Sequence, residues 1–441
     1  MPGLDAMPTI QLPPDAASRM PEYLAAMAQR HGPIFKRPMM PALRPQLGDW
    51  LVYLVGPEAN RFVLQAQRDA FSHDRGWTPI LGEIFEKGLL NTDDPMHARQ
   101  RRLMNPAFAA AYMARYLPIM ARIVEERTRG WASRARIDLY AECRKITFDI
   151  AAETLIGLQT GAQVDRLREL FYALVSGAPP ATITTEEQYM HYLYGVRTEL
   201  DALLLETIAR RRQGGGDDVL GMLTAARDDD GAGFDDKEIL GHLHILLVAG
   251  HETSTTLASW LFYELAAYPE YLQRVRTELD LVLGDGAPVT PEAIRKMRQL
   301  GYAVDETSRL RSPVINLPRG VSRDVEFGGY TIPAGTRAWL AVAAGHRLPA
   351  VFAQPGLFDP DRFAPSREED KKTPYGLVAF GGGPRICIGI NFAQMEVRAI
   401  AAHVLRSYDL TPVAGAPVRQ MGDGIIAALP DGMLMTVAAR A

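Results

Sequence analysis

Phe380-Gly381-Gly382-Gly383-Pro384-Arg385-Ile386-Cys387-Ile388-Gly389 is the stretch on which the reading of this chain rests. One cysteine stands among four glycines, a proline and an arginine. Beyond it, Ile390, Ala393, Val397, Ile400 and Val404 recur at alternating spacings of three and four, which marks one apolar face of a helix. Cys387 therefore falls at or just before a helix N-terminus, where backbone N–H groups and the positive dipole end favour a thiolate. A thiolate on a glycine loop, whose backbone can lie close to a flat object, suits an axial ligand to haem iron. A lone cysteine in a turn is ordinarily a small buried apolar residue. The sharper assignment needs the whole pattern Phe-x-x-Gly-x-Arg-x-Cys-x-Gly and support from elsewhere in the chain.

Upstream, Asp235 and Glu238 form a capping-box pattern ahead of a run that ends at Pro269. A helix of about 33 residues there would span roughly 50 Å. Leu243 to Ala249 is apolar on nearly every side apart from His244, so burial all round is expected. His242, His244, His251 and Glu252 exclude a membrane span. Ala249-Gly250-His251-Glu252-Thr253 then interrupts the apolar run. Glycine in mid-helix costs about 1 kcal/mol relative to alanine, and a carboxylate there needs a partner or water. Taken alone, the run is a tolerated kink, with Thr253 bonded to a carbonyl one turn back.

Glu306-x-x-Arg309 lies in a helix-like run from about Leu300 that stops before Pro313. Alone, such a pair is a solvated bridge worth about a few tenths of a kcal/mol. His97-x-x-x-Arg101 follows a good helix start, Asp93-Asp94-Pro95-Met96, and its spacing puts both side chains on one face. Arg323 to Gly335 alternates around Gly328-Gly329, which suggests a hairpin, and Trp50 to Val55 looks strand-like. The rest is mainly helical.

At 441 residues the length allows about two to four domains. The loosest stretches, Gly214 to Asp218 and Asp228 to Gly233, are short and sit between helical runs, so a single domain over 1–441 is expected. Hydrophobic residues at 47% and charged residues at 23% describe an ordinary globular chain with a large core. A net charge of −4 argues against general nucleic-acid binding. Only Cys143 and Cys387 are present, so an iron-holding Cys387 leaves no intrachain disulfide, which fits a reducing compartment. Met1 to about Pro33 has neither an apolar run of about 18 residues nor the pattern of a signal peptide. Residues 1–30 are therefore expected as an N-terminal extension without a membrane anchor.

The cysteine loop, the glycine–acid–alcohol run and the Glu-x-x-Arg pair, in order over about residues 30 to 440, resemble the cytochrome P450 superfamily. The resemblance implies a mainly α fold with a small β portion, with haem b between the long central helix and the cysteine loop. Cys387 would be the axial iron ligand, with Phe380, Gly381, Gly389 and Ala249 beside the cofactor. His97, Arg101, Arg319 and Arg385 match its propionate positions, and arginine reads carboxylates by bidentate bonds. Ala249 to Thr253 matches the proton-relay run of the family, which makes Glu252 and Thr253 the catalytic pair. Thr253 can donate and accept, and Glu252 can exchange protons with solvent. His251 sits at the variable position and receives no chemistry. Arg362, in Phe358-Asp359-Pro360-Asp361-Arg362-Phe363, would complete a buried structural triad with Glu306 and Arg309.

The resemblance further implies NAD(P)H-dependent monooxygenation of a hydrophobic small molecule, such as a fatty acid, terpenoid, steroid or polyketide, by a soluble, bacterial-type, cytoplasmic monomer. No flavin or iron–sulfur segment flanks the fold, so electrons are expected from a separate ferredoxin or flavodoxin with its reductase. Arg99 and Arg102 either help dock that acidic partner or form an ordinary solvated cluster. The pocket is expected along Trp77 to Leu90 (Trp77, Ile80, Leu81, Phe85), along Phe171 to Tyr194, and against the central helix. Val314, Ile315 and Leu317 would add one wall and Ile425-Ile426 another. Two alternatives remain. One is a haem–thiolate enzyme that uses peroxide or rearranges an oxygenated substrate, and the Glu252-Thr253 pair weighs against it. The other is a haem protein that binds without turnover.

Overall fold

The computed structural model describes residues 1–39, 48–81, 85–175, 181–284, 286–416, 418–420, 425–427, 429 and 432–440. The helices that shape the site are α1 (Met20–His31), α2 (Asp74–Leu81), α3 (Met96–Met104), α4 (Leu139–Ala151) and α5 (Ala162–Val175). They continue with α6 (Glu186–Gly214), α7 (Asp236–Ala267), α8 (Arg298–Leu310) and α9 (Ile390–Ser407). The strands are short, and the chain is mainly α with a small β portion, as the sequence implied.

The central helix α7 runs for 32 residues, roughly 48 Å at the usual rise. Its start is the expected capping box: Asp235 Oδ1 accepts from Glu238 N at 2.8 Å, and Glu238 Oε2 accepts from Asp235 N at 3.1 Å. It ends at Ala267, just before Pro269, which cannot continue it. Ile239 to Leu247 are buried, and α4, α6, α8 and α9 all pack against this helix. The cysteine helix α9 begins at Gly389 as N-cap and buries Val397, Ile400 and Val404, three of the five positions that revealed its period.

The main sheet has five strands in the order β1 (Ile34–Pro38), β2 (Trp50–Leu54), β8 (Arg337–Leu340), β5 (Leu317–Val321), β3 (Phe71–Ser72). Strands β2 and β8 are parallel, with Leu51 opposite Arg337. Strand β5 runs antiparallel to β8, with Arg319 opposite Ala338. The Gly-Gly hairpin is present as β6 (Val325–Phe327) and β7 (Tyr330–Ile332). Gly328 and Gly329 take φ of 58° and 86°, the two positive values that a tight two-residue turn requires. A separate sheet joins β4 (Arg136–Asp138), β10 (Leu434–Ala439) and β9 (Tyr408–Pro412).

Residues 1–30 are woven into this body. Met7 and Ile10 are buried, Thr9 bridges Lys36 of β1, and Glu22 of α1 pairs with Arg347 at 2.7 Å. Among the described residues no helix is long and apolar enough to cross a membrane.

Candidate haem and active site

The cysteine loop folds back on itself before α9 begins. Phe380 O accepts from Cys387 N at 2.8 Å, and Gly383 O accepts from Ile386 N at 3.1 Å. Gly381 and Gly383 take φ of 74° and 63°, a region open to glycine at little cost. A Cβ on Gly383 would also lie 2.4 Å from Leu64 O, so the loop is pressed onto that backbone. Phe380 and Gly389 are both half-buried. Cys387 is exposed, although protein surrounds its thiol closely. Burial raises its thiol pKa, and the Gly389 N–H and Arg101 oppose the rise. Cys143 is different: it is sealed inside α4, and burial pushes its thiol up to about 12.

The central helix has one opening. Ala249 is exposed and Val248, Gly250 and Thr253 are half-buried, whereas Leu243 to Leu247 and Ser254 to Phe262 are buried. An exposed alanine in the middle of a core helix means that the fold leaves room beside it. Thr253 Oγ1 donates to Ala249 O at 2.7 Å, the bond one turn back that mid-helix threonines make. Glu252 is gripped from the other side. Arg144 of α4 donates to it through Nε at 2.9 Å and also through Nη2, His251 Nε2 lies 3.2 Å away, and Tyr140 donates at 3.5 Å. Burial alone would raise the carboxyl pKa, but His251 and Arg144 bring it down to about 2. Glu252 and Thr253 are therefore neighbours with separate environments.

Cations gather at a cavity of about 380 Å³ lined by Arg319, Arg385, His73, Ser72, Asp93 and Asp94, among others. Arg319 is 3% exposed, and its only hydrogen bond among the described residues runs to the adjacent Pro318 O at 2.8 Å. Burial first, and then the charge of Arg385, hold it down to about 9. Arg385 donates to Thr92 O at 2.7 Å and stands 3.8 Å from Asp94. His97 reaches the same aspartate at 3.4 Å and is lowered to about 4 by burial and by Arg385. Arg101, on the same helix α3, turns instead to the cysteine loop and donates to Ile386 O at 2.6 Å. A buried guanidinium without a carboxylate partner calls for an anion. Together with the exposed Cys387 on its glycine loop, it fits a flat dianionic cofactor that binds through a metal.

Below this lies the charge trio. Glu306, Arg309 and Arg362 have fully buried side chains. Glu306 accepts from Arg309 at 2.7 and 2.8 Å, from Arg362 Nε at 3.0 Å and from Asp359 N at 2.9 Å. Arg309 also donates to His346 O at 2.9 Å, and His346 Nε2 accepts from Val378 N at 3.0 Å. The trio is thus bonded through His346 to Val378, in the segment that leads into the cysteine loop.

The family model described as cytochrome P450 matches residues 2–435. This chain belongs to the cytochrome P450 family. A putative cytochrome P450 136 from Mycobacterium tuberculosis is 33% identical over 400 residues, covering 88% of this chain and 78% of the relative. A sterol 14α-demethylase from Mycolicibacterium vanbaalenii is 30% identical over 392 residues, covering 84% and 86%. The retinoic-acid-bound structure of cyanobacterial CYP120A1 superposes over 100% of both chains with a TM-score of 0.85 at 25% identity. Membership makes this P450 an oxidoreductase of the haem–thiolate monooxygenase class and implies haem as cofactor.

The expected substrate-facing residues of this P450 separate into two groups. Ile80 is 40% exposed, and Leu81, Val314, Leu317 and Ile426 are partly buried, so these have surface to offer. Trp77, Phe85, Ile315 and Ile425 are each 8% exposed or less and belong to packed clusters; Phe85 lies against Phe171 and His244. Val314 bridges Ile426, and Ile315 N donates to Ile425 O at 2.8 Å, so the two expected walls form one unit. The parts of the expected lining at 82–84 and 176–180 lie outside the described residues. Arg99 is spent internally, on Asp228 at 2.8 Å, Glu238 at 3.2 Å and Gly233 O at 2.8 Å, whereas Arg102 is 64% exposed. Sequence reasoning passed over Arg144 and His73, and it gave no chemistry to His251, which lies 3.2 Å from Glu252. Arg144 and Glu252 are 108 positions apart, and no local spacing joins them.

Proposed function

We propose that this P450 inserts one atom of O2 into a hydrophobic small molecule. Its electrons come from NAD(P)H through a separate ferredoxin or flavodoxin and reductase, and it works as a cytoplasmic monomer built from one domain over 1–441. The observation that carries the site assignment is Arg319, a buried cation with no carboxylate in ion-pair contact among the described residues, in a cavity that Pro384 and Arg385 of the cysteine loop also line. Cys387 would supply the thiolate ligand to the iron. Arg319 and Arg385, with His97 close by, neutralise the propionates, and Arg101 braces the loop at Ile386 O. Phe380, Gly381 and Gly389 of the loop and Ala249 of the central helix would border the flat ring; Gly381 has a φ of 74° and Ala249 is exposed. When bound, haem provides the redox-active iron at which O2 is reduced and split.

The protein's own chemistry is proton handling and exclusion of water. The Thr253 hydroxyl lies at the opening of the central helix, where it can pass a proton inward while its own bond to Ala249 O fixes its direction. Glu252 is ionised at neutral pH and must loosen from Arg144 before it can collect a proton. Glu306, Arg309 and Arg362 hold the loop and take no part in the reaction.

A lipophilic substrate is supported by the apolar side chains with free surface, Ile80, Leu81, Val314, Leu317 and Ile426. The names of two related proteins, a sterol demethylase and a retinoic-acid complex, point the same way. The test is a panel of sterols, retinoids, terpenoids and fatty acids scored by displacement of water from the ferric iron, read as a Soret shift. Hits are then turned over with NADPH and a surrogate ferredoxin system. Product formed with peroxide but never with the electron-transfer proteins would transfer the enzyme to the peroxide-using branch.

A further inference from the structure

Glu396 is a buried acid for which the reaction described above has no use. It lies on α9, nine positions beyond Cys387 (387 to 396), and its side chain is 0% exposed. Ser254 Oγ of α7 is the polar group that approaches the carboxyl and opposes its protonation, although neither Oγ nor a carboxyl oxygen meets full hydrogen-bond geometry with any partner among the described residues. Ser254 directly follows Thr253. The pair therefore sits where the cysteine helix crosses the helix that carries the proton-handling threonine.

No charged group among the described residues acts on it. On α7, His251 and Glu252 are engaged with each other and with Arg144. On α8, Glu306 holds Arg309, and Asp305 is opposed by Arg398 of α9. On the neighbouring helix Leu117–Thr128, Arg122 pairs with Glu153, Glu125 lies against Arg129, and Arg127 holds Asp149. On Pro269–Leu283, Glu278 accepts from Gln299 N and Leu300 N. Burial without compensation favours the neutral acid, and burial raises this carboxyl to about 8.

We propose that Glu396, with Ser254, is a proton-binding site coupled to the charge of the haem iron. Resting on the haem–thiolate reading above, it works as follows. With haem bound, one electron from the donor protein would add negative charge at the iron and make Glu396 a stronger base, so that at pH values where its carboxylate is still ionised it would take one proton from solvent. Only an O–H bond forms. Linkage is reciprocal, so a protonated Glu396 makes the iron easier to reduce.

The experiment measures the midpoint potential of the haem-loaded protein against pH, beside the infrared band of a buried protonated carboxyl. The wild type should show that band and a potential that declines as pH rises through the Glu396 titration. Glu396→Gln should lose the band and hold the low-pH potential throughout that range. An equal decline in Glu396→Gln would overturn the proposal and assign the protons to other groups, such as His73 or His97. If Glu396→Gln does not retain haem, Ser254→Ala decides: removing the hydroxyl should move the bend to higher pH, and an unmoved bend overturns the proposal. The thiolate-type carbonyl band is recorded on every sample. Its absence from the wild type would sink the haem–thiolate reading itself, whereas its presence with an unaltered pH curve sinks only the role of Glu396.

Discussion

Thr253 shows how one hydroxyl can serve two purposes. Its hydrogen bond to Ala249 O is the ordinary one for a mid-helix threonine, yet it stands at the only stretch where the middle of α7 opens among the described residues. Thr253→Ala should leave haem content and substrate affinity nearly unchanged. NADPH consumption should continue while peroxide release rises and product falls, with all three measured together; coupling at the parent level would leave Thr253 a helix residue only. Glu252 titrates far below the usual 4.5 because, against the opposing effect of burial, His251 and Arg144 hold it at about 2. The sign follows from the lowered folded value: the stabilisation is present above 4.5 and is lost as pH falls toward about 2. Arg144→Met should lose about 1.5–3 kcal/mol near pH 7, the usual range for hydrogen bonds to a charged group. In denaturant unfolding the gap from the wild type should narrow as pH is lowered through that window. A gap that stays constant with pH would mean that Arg144 acts through packing on Tyr172, whose ring centroid lies 3.8 Å from its guanidinium carbon.

At the scale of elements, the cysteine loop and its braces are a single mechanical unit. Gly383 combines a φ of 63° with a Cβ position 2.4 Å from the Leu64 carbonyl, so Gly383→Ala must displace backbone. Strain of this kind costs about 1–3 kcal/mol, and haem retention after gel filtration should fall; full retention would show that the loop adapts freely. Glu306 anchors two guanidinium groups in a site with no exposed surface. Removing one partner of such a network costs about 3–5 kcal/mol, so Glu306→Ala should be poorly folded or haem-free. A folded, haem-replete but slow Glu306→Ala would contradict a purely structural role. Much of this was legible in the sequence, because caps, periods and turn glycines act over a few residues: the Asp235–Glu238 box, the α9 face and the Gly328-Gly329 turn all stand where their spacing put them. The clamp on Glu252 and the turn of Arg101 toward Ile386 O were not legible. Each depends on a flexible guanidinium choosing among acceptors that only the folded chain brings within reach.

Across the whole molecule, long-range pairing is what local patterns cannot specify. Strand β2 was recognisable by itself, but its parallel partner β8 lies almost three hundred residues away, with Leu51 opposite Arg337. The N-terminal residues carried no strong period, so they read as an extension; burial of Met7 and Ile10 against the sheet makes them part of the body. The two thiols of the molecule stand in opposite surroundings, Cys387 exposed on its glycine loop and Cys143 sealed inside α4. That contrast gives the most direct test. The reduced, carbon-monoxide-bound difference spectrum should show the thiolate-type band in the wild type and in Cys143→Ser. Cys387→Ser should lose it, and an undiminished band in Cys387→Ser would contradict the assignment of this chain's iron ligand.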